Sequence, residues 1–312
     1  MATAGVVEID PNGDVFLLCG GEVTSNNVCK LRVSSAALRL GSPVFKSLLG
    51  PRFKEGNALL DCATVEVPLP EDDPGNMQKL CQILHFRNDQ MLAPLNAEEV
   101  MDFAILCDKY GCANAVRLCV ELWVRDPLTT TSVQDLAIYF NAALLLKYEE
   151  LVQRLGARLI KDAKKFIAEI VKPEGSKQKF LCAELENIRA RFLRNLAHII
   201  EDELDNVLYH QKGSKCKQDC PVNPRRVVSF AQQLRDADLW PGFKRMGCVE
   251  IDLQCAETFV AQVISSDLTH ISERCGKGET PGLKEYSRAV NKRAKHLRRE
   301  LDGVDLSSLN GA

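Results

Sequence analysis

Two stretches in the last third of the chain carry the residue types of a metal site. Cys216-x3-Cys220 lies among Lys, Gly and Pro, poor surroundings for core packing, and His270-x4-Cys275 lies in a second loop-like stretch. Thiolate sulfur and imidazole nitrogen are donors that tetrahedral zinc accepts, and four of them would close a structural site and staple the helices around it. Cys248 and Cys255 are alternative donors, although Cys255 falls on an apolar helix face. The spacing argues the other way: zinc pairs usually repeat C-x2-C, and unrelated structural cysteines account for the same residues.

Nucleophilic chemistry has less behind it. The sequence has no G-x-S-x-G elbow, and GKGET at 276–280 puts Gly after the lysine where a phosphate loop needs Ser or Thr. His85, His198, His210, His270 and His296 are scattered, and His198, between Leu196 and Ile199, reads as a packed or capped helix histidine. The acidic pairs Glu98-Glu99 and Glu149-Glu150 fall near helix starts, where they complement the helix dipole. An enzyme is therefore not expected. The enzymatic alternative is a Cys/His site in the helical half, recognisable by a vacant metal position and a neighbouring Glu.

The elements that must position any site follow from composition and patterning. The chain has 312 residues, 46% of them hydrophobic, enough for two cored units and against a disordered chain. Residues 1–127 hold 11 basic and 17 acidic residues, whereas the rest hold 29 and 25, so the net charge changes from -6 to +4. That change of sign predicts two separately built units, 10–127 and 128–312. An overall charge of -2 does not suggest a nucleic-acid binder. The first residues, MATAGVVEIDPNGD, lack the pattern of a signal peptide, and no apolar run reaches membrane-helix length. The thirteen cysteines are then expected in a reducing compartment, cytoplasm or nucleus, with most of them small core residues such as Cys107 and Cys119.

In the first half, DVFLLC at 14–19 and CKLRV at 29–33 read as a strand and its return through a Gly-rich turn. Ser34-Ser35 offers a cap for the helix AALRL, and Ser42-Pro43 opens a second short helix. TVEV at 64–67 reads as a third strand. The acidic loop LPEDDPGN then favours the start of the helix MQKLCQILHF. Helices 97–110 and 113–124 place Val100, Phe103, Ala104 and Cys107, then Val116, Cys119, Val120 and Trp123, on apolar stripes. Asp126-Pro127 closes the unit. Beyond it, helix-period patterns run over 132–146, 149–171, 179–210, 224–238, 249–265 and 281–302. In the longest, Leu185, Ile188, Phe192, Leu196 and Ile199 recur with charges between them, which predicts a packed amphipathic helix. KRAKHLRR at 292–299 reads as a solvated face, with nuclear import as the alternative.

The first half resembles a BTB/POZ domain. The resemblance rests on DVFLLCGG at 14–21, KLRVSSAALRLGSPVFKSLLGPRFKEG at 30–56, VEVPLPEDDP at 65–74 and FAILCDKYGCANAVRLCVELW at 103–123. In detail it is similar to the subset common in filamentous fungi, with a Val-Ser-Ser helix start and a Phe-Lys-Glu-Gly turn. The resemblance implies an α+β interaction module, a small sheet capped by helices, with no catalysis of its own. Members that dimerise have an acid at the first strand facing a basic residue at the helix start. Asp14 matches the acid, while Ser35 occupies the basic position and Ser34 a common His, which implies an incomplete charged pocket. By its residues alone, Asp14 is equally a turn residue after Gly13. Members that bind the cullin scaffold of ubiquitin ligases carry a hydrophobic residue, any residue and an acid in a loop after the second helix. Phe53-Lys54-Glu55 fits, so the resemblance implies Phe53 as anchor and Glu55 as rim charge. The alternative is that Phe53 packs under its own loop.

The expectation is a non-enzymatic adaptor. Its BTB/POZ-like module would associate with itself as a homodimer or recruit a cullin-type ubiquitin ligase, and a mostly α-helical region at 128–312 would present a target. A transcription-linked nuclear scaffold without cullin is the alternative. No membrane, no direct nucleic-acid contact and no cofactor is expected, apart from zinc at Cys216, Cys220, His270 and Cys275.

Overall fold

An apolar run over Val15–Cys19 and alternation over Cys29–Val33 build the first half of the sheet. In the computed structural model, which describes residues 6–21, 29–61, 64–87, 95–125, 132–163 and 166–209, four strands pair in the order β1-β3-β2-β4. They are β1 (Val6–Glu8), β2 (Val15–Cys19), β3 (Cys29–Val33) and β4 (Val65–Leu69). β2 and β3 are antiparallel, as their shared turn requires, while β1 lies parallel to β3 and β4 parallel to β2. Val15, Leu17, Cys19, Leu31, Val33 and Val67 line the buried face. The other face carries Phe16 with the Lys30 ammonium 4.3 Å above its ring, and Lys30 in turn pairs with Glu66. Period two separates the faces of β3 and β4, whereas in β2 Leu18 is buried on the second face as well.

The chain passes from β3 to the far side of β2 through three short helices, α1 (Ser35–Gly41), α2 (Pro43–Leu48) and α3 (Lys54–Asp61). After β4 come α4 (Pro74–Leu84), α5 (Ala97–Tyr110) and α6 (Ala113–Arg125). α5 begins in a capping box, Asn96 and Glu99 each accepting the other's backbone N–H at 2.9 Å. Its stripe Val100, Phe103, Ala104 and Cys107 is buried, with Phe103 edge-on to Trp123 of α6.

Three expectations for this region change. A strand, β1, precedes the three that were expected; it has only three residues and pairs with a ladder more than twenty residues away, so it carries no local signal. Phe53-Lys54-Glu55 is no loop, since α3 starts at Lys54. Packing also carries the first unit past residue 127, to Leu155. The reason lies in α7 (Val133–Leu145), capped by Ser132, which packs against α5. Tyr148 donates its hydroxyl to Ala113 O, and Glu150, at the start of α8 (Glu149–Asp162), pairs with Arg117.

The second unit starts at Gly156. The expected helix over 149–171 is divided, with α8 ending at Asp162 and a short α9 (Ile167–Val171) following. α10 (Ser176–Tyr209) is the long helix. Its stripe is deeper than the apolar residues alone define. Arg189, only 1% exposed, donates to Ala163 O, one of the carbonyls a helix end leaves open, and Glu186 accepts from Ile167 N. His198, expected to be packed or capped, is exposed and so is not packed. Among the described residues, no helix is long and apolar enough to cross a membrane.

Candidate docking corner

The corner around Phe53 is built from α2 outward. Ser42 caps α2, accepting from Phe45 N at 3.0 Å and donating its hydroxyl to Tyr110 O at 2.6 Å. Pro43 supplies the fixed φ of a first helical position. Phe45 is then buried and stacked on Tyr110, their ring centroids 4.5 Å apart, which fastens α2 to the end of α5. A tight turn follows: Gly50 N donates to Ser47 O, Phe53 N to Gly50 O, and Asn57 N to Phe53 O, at 3.0, 3.2 and 3.1 Å.

Gly56 locks this turn. A Cβ there would stand 1.8 Å from Gly50 O, so the first turn of α3 lies directly on the backbone at Gly50 with no room for any side chain. The result is an aromatic held on both sides by backbone hydrogen bonds yet 46% exposed. Phe53 does not pack under its own segment. Lys54 beside it is exposed, and Glu55 is half-buried in the first turn of α3, where the dipole favours a carboxylate. An outward aromatic beside a half-buried carboxylate can fill an apolar slot on a partner and set its register.

Asp14 and Ser35 do meet. The Asp14 carboxylate accepts Ser35 N at 2.7 Å through Oδ1 and the Ser35 hydroxyl at 2.6 Å through Oδ2. The α1 cap therefore comes from a residue just before β2, 21 positions earlier, and the expected serine cap is not made, because Ser34 forms no side-chain cap bond. Ser34 N instead donates to His85 Nε2 at 2.9 Å, while His85 Nδ1 lies 2.7 Å from Cys81 O. Burial lowers the His85 pKa, and the Cys81 carbonyl opposes that shift. A histidine at the C-cap of α4 thus serves the helix start where the resemblance has a histidine in sequence.

The acidic loop before α4 divides its duties. Asp73 caps α4 through Asn76 N at 2.8 Å, as expected. Asp72 is buried instead, accepting from Lys109 Nζ at 2.7 Å and from Tyr110 OH at 2.6 Å. Burial, reinforced by that hydrogen bond, pushes the Tyr110 hydroxyl far above its usual range.

Seven described cysteines are free thiols, most of them buried, and burial raises Cys112 and Cys182 to about 11. The zinc candidates Cys216, Cys220, His270 and Cys275, the alternatives Cys248 and Cys255, and the basic run 292–299 all lie outside the described residues. Sequence reading missed the exposed apolar side of α6, Leu118 and Leu122, because it singled out the stripe that packs inward; the four-residue spacing was its available signal. No family model, no curated protein and no solved structure matches this chain.

Proposed function

We propose that this protein is a non-enzymatic adaptor whose first unit is a BTB/POZ-like module, docking through Phe53 and Glu55 onto a helical scaffold of the cullin type. The observation that carries the reading is the fixed, outward Phe53 at the start of α3, with Gly56 seated on the Gly50 backbone. An aromatic anchor that is already ordered loses little entropy on binding, which is what a hot spot needs. Support also comes from element order: the β2–β3 hairpin, the α1–α2 pair, β4 and then helices α4 to α6 come in the order the resemblance implies, with β1 and α3 as additions to it. Asp14 belongs to the module's own framework in this reading, since both its carboxylate oxygens are engaged by Ser35.

The test is calorimetric titration of the full chain with a purified cullin N-terminal domain. Loss of a hot-spot aromatic costs about 2 kcal/mol or more, so Phe53→Ala is expected to weaken binding at least about 25-fold with unchanged circular dichroism. Absence of binding by the wild-type chain, or equal binding by the variant, overturns the proposal.

A further inference from the structure

Cys19 and Cys29 close the β2–β3 ladder. They are the last register pair of the two antiparallel strands, directly opposite each other, and therefore project from the same face of the sheet. Opposed residues in such a pair have Cα atoms about 4.5–5.5 Å apart, inside the span of about 4.4–6.8 Å that a disulfide bridges. Neither needs to leave its strand to reach the other. They also differ in access: Cys19 is fully buried and Cys29 is half-exposed. Cys19 is further held from behind, since Gly20 follows at φ +80° against Pro74 and Gly21 N donates to Pro70 O.

We infer that Cys19 and Cys29 form an oxidant-sensitive thiol pair, in which Cys29 meets a hydroperoxide and Cys19 resolves it as an intrachain disulfide. In the first step the Cys29 thiolate attacks one peroxide oxygen and the O–O bond breaks. Sulfur is oxidised to the sulfenic acid, and the peroxide, with one proton, leaves as alcohol or water. In the second step the Cys19 sulfur, losing its proton, bonds to the Cys29 sulfur as the S–O bond breaks and water leaves. Two thiols and one hydroperoxide thus give one disulfide, one alcohol or water from the peroxide, and one water. The thiolate is the reactive form in both steps, and burial raises Cys29 and pushes Cys19 up to about 12, so the reaction is slow at neutral pH and accelerates as pH rises. Cys81 is the competitor, close enough to Cys19 to feel its charge but wholly buried.

The experiment treats the full-length reduced protein with hydrogen peroxide, blocks the remaining thiols, digests without reduction and maps the peptides by mass spectrometry. The expected product is one species linking the Cys19 and Cys29 peptides, lighter by two hydrogens than their sum, formed faster at higher pH and reversed by dithiothreitol. Cys29→Ser, checked for unchanged circular dichroism, is expected to lose that species. Oxidation of Cys29 only to the sulfinic or sulfonic acid, a bond from Cys19 to Cys81 in the wild-type chain, or no linked peptide in wild-type protein overturns the inference. The wild-type result alone decides it should the variant fold poorly.

Discussion

Replacing Gly56 with alanine sets two well-measured effects against each other. At most helix positions alanine stabilises relative to glycine by about 1 kcal/mol. At Gly56 the added methyl would lie 1.8 Å from Gly50 O, 2.4 Å from Gly50 C and 2.7 Å from Leu49 C. Carbon and oxygen in even a favourable contact sit about 3.3 Å apart, so α3 would have to retreat by about 1.5 Å. All three neighbours are backbone, so no rotamer change relieves the clash. Overpacking of this kind costs about 1–3 kcal/mol or more, and the tight backbone contact puts Gly56 at the upper end, leaving a net loss of about 2 kcal/mol. The urea midpoint should fall accordingly. Gly75→Ala is the control: it also falls in a first helical turn, its methyl meets only the Asp73 side chain at 3.3 Å, and a shift within about 0.5 kcal/mol is expected. A Gly56→Ala midpoint equal to or above wild type would refute the packing argument and, with it, the fixed placement of Phe53.

Two more expectations rest on the helix starts. Asp14→Ala removes both bonds to Ser35 and should cost about 1–2 kcal/mol in urea unfolding, with Asp14→Asn costing less because the amide oxygen still accepts; equal losses from the two variants would contradict the cap. His85 has a lowered pKa when folded, so as pH falls the unfolded chain takes up its proton first and stability is lost below the ordinary value of about 6.5. Protonation also removes the acceptor for Ser34 N. Urea midpoints measured between about pH 8 and pH 5 should therefore drop more steeply for wild type than for His85→Gln, and parallel curves would show that His85 does not titrate this way.

Local signals were readable where the physics is local. A bounded apolar run defined β2, alternation defined β3, Ser42-Pro43 opened α2, and an apolar stripe gave α5, although its Asn96 cap went unread. Partners distant along the chain were not readable. Asp14 reaches Ser35, His85 reaches Ser34 and Asp72 reaches Tyr110 across 21, 51 and 38 positions, and each replaced a nearer partner that the sequence offered. α3 was missed because Gly56 argues against a helix unless its contact with Gly50 is known. At the docking corner the residue types of Phe53 and Glu55 could be read in advance; the exposure of one and the half-burial of the other could not.

The packing of α7 on α5 has a practical side. Asp126-Pro127 invites a cut, being where the composition changes and a helix stops. A fragment trimmed there would lose Val133–Leu145 and bare the surface of α5 that this segment now covers. Uncovered apolar area of that kind makes polypeptides clump, so the shortest piece fit for expression on its own should run at least to Leu155.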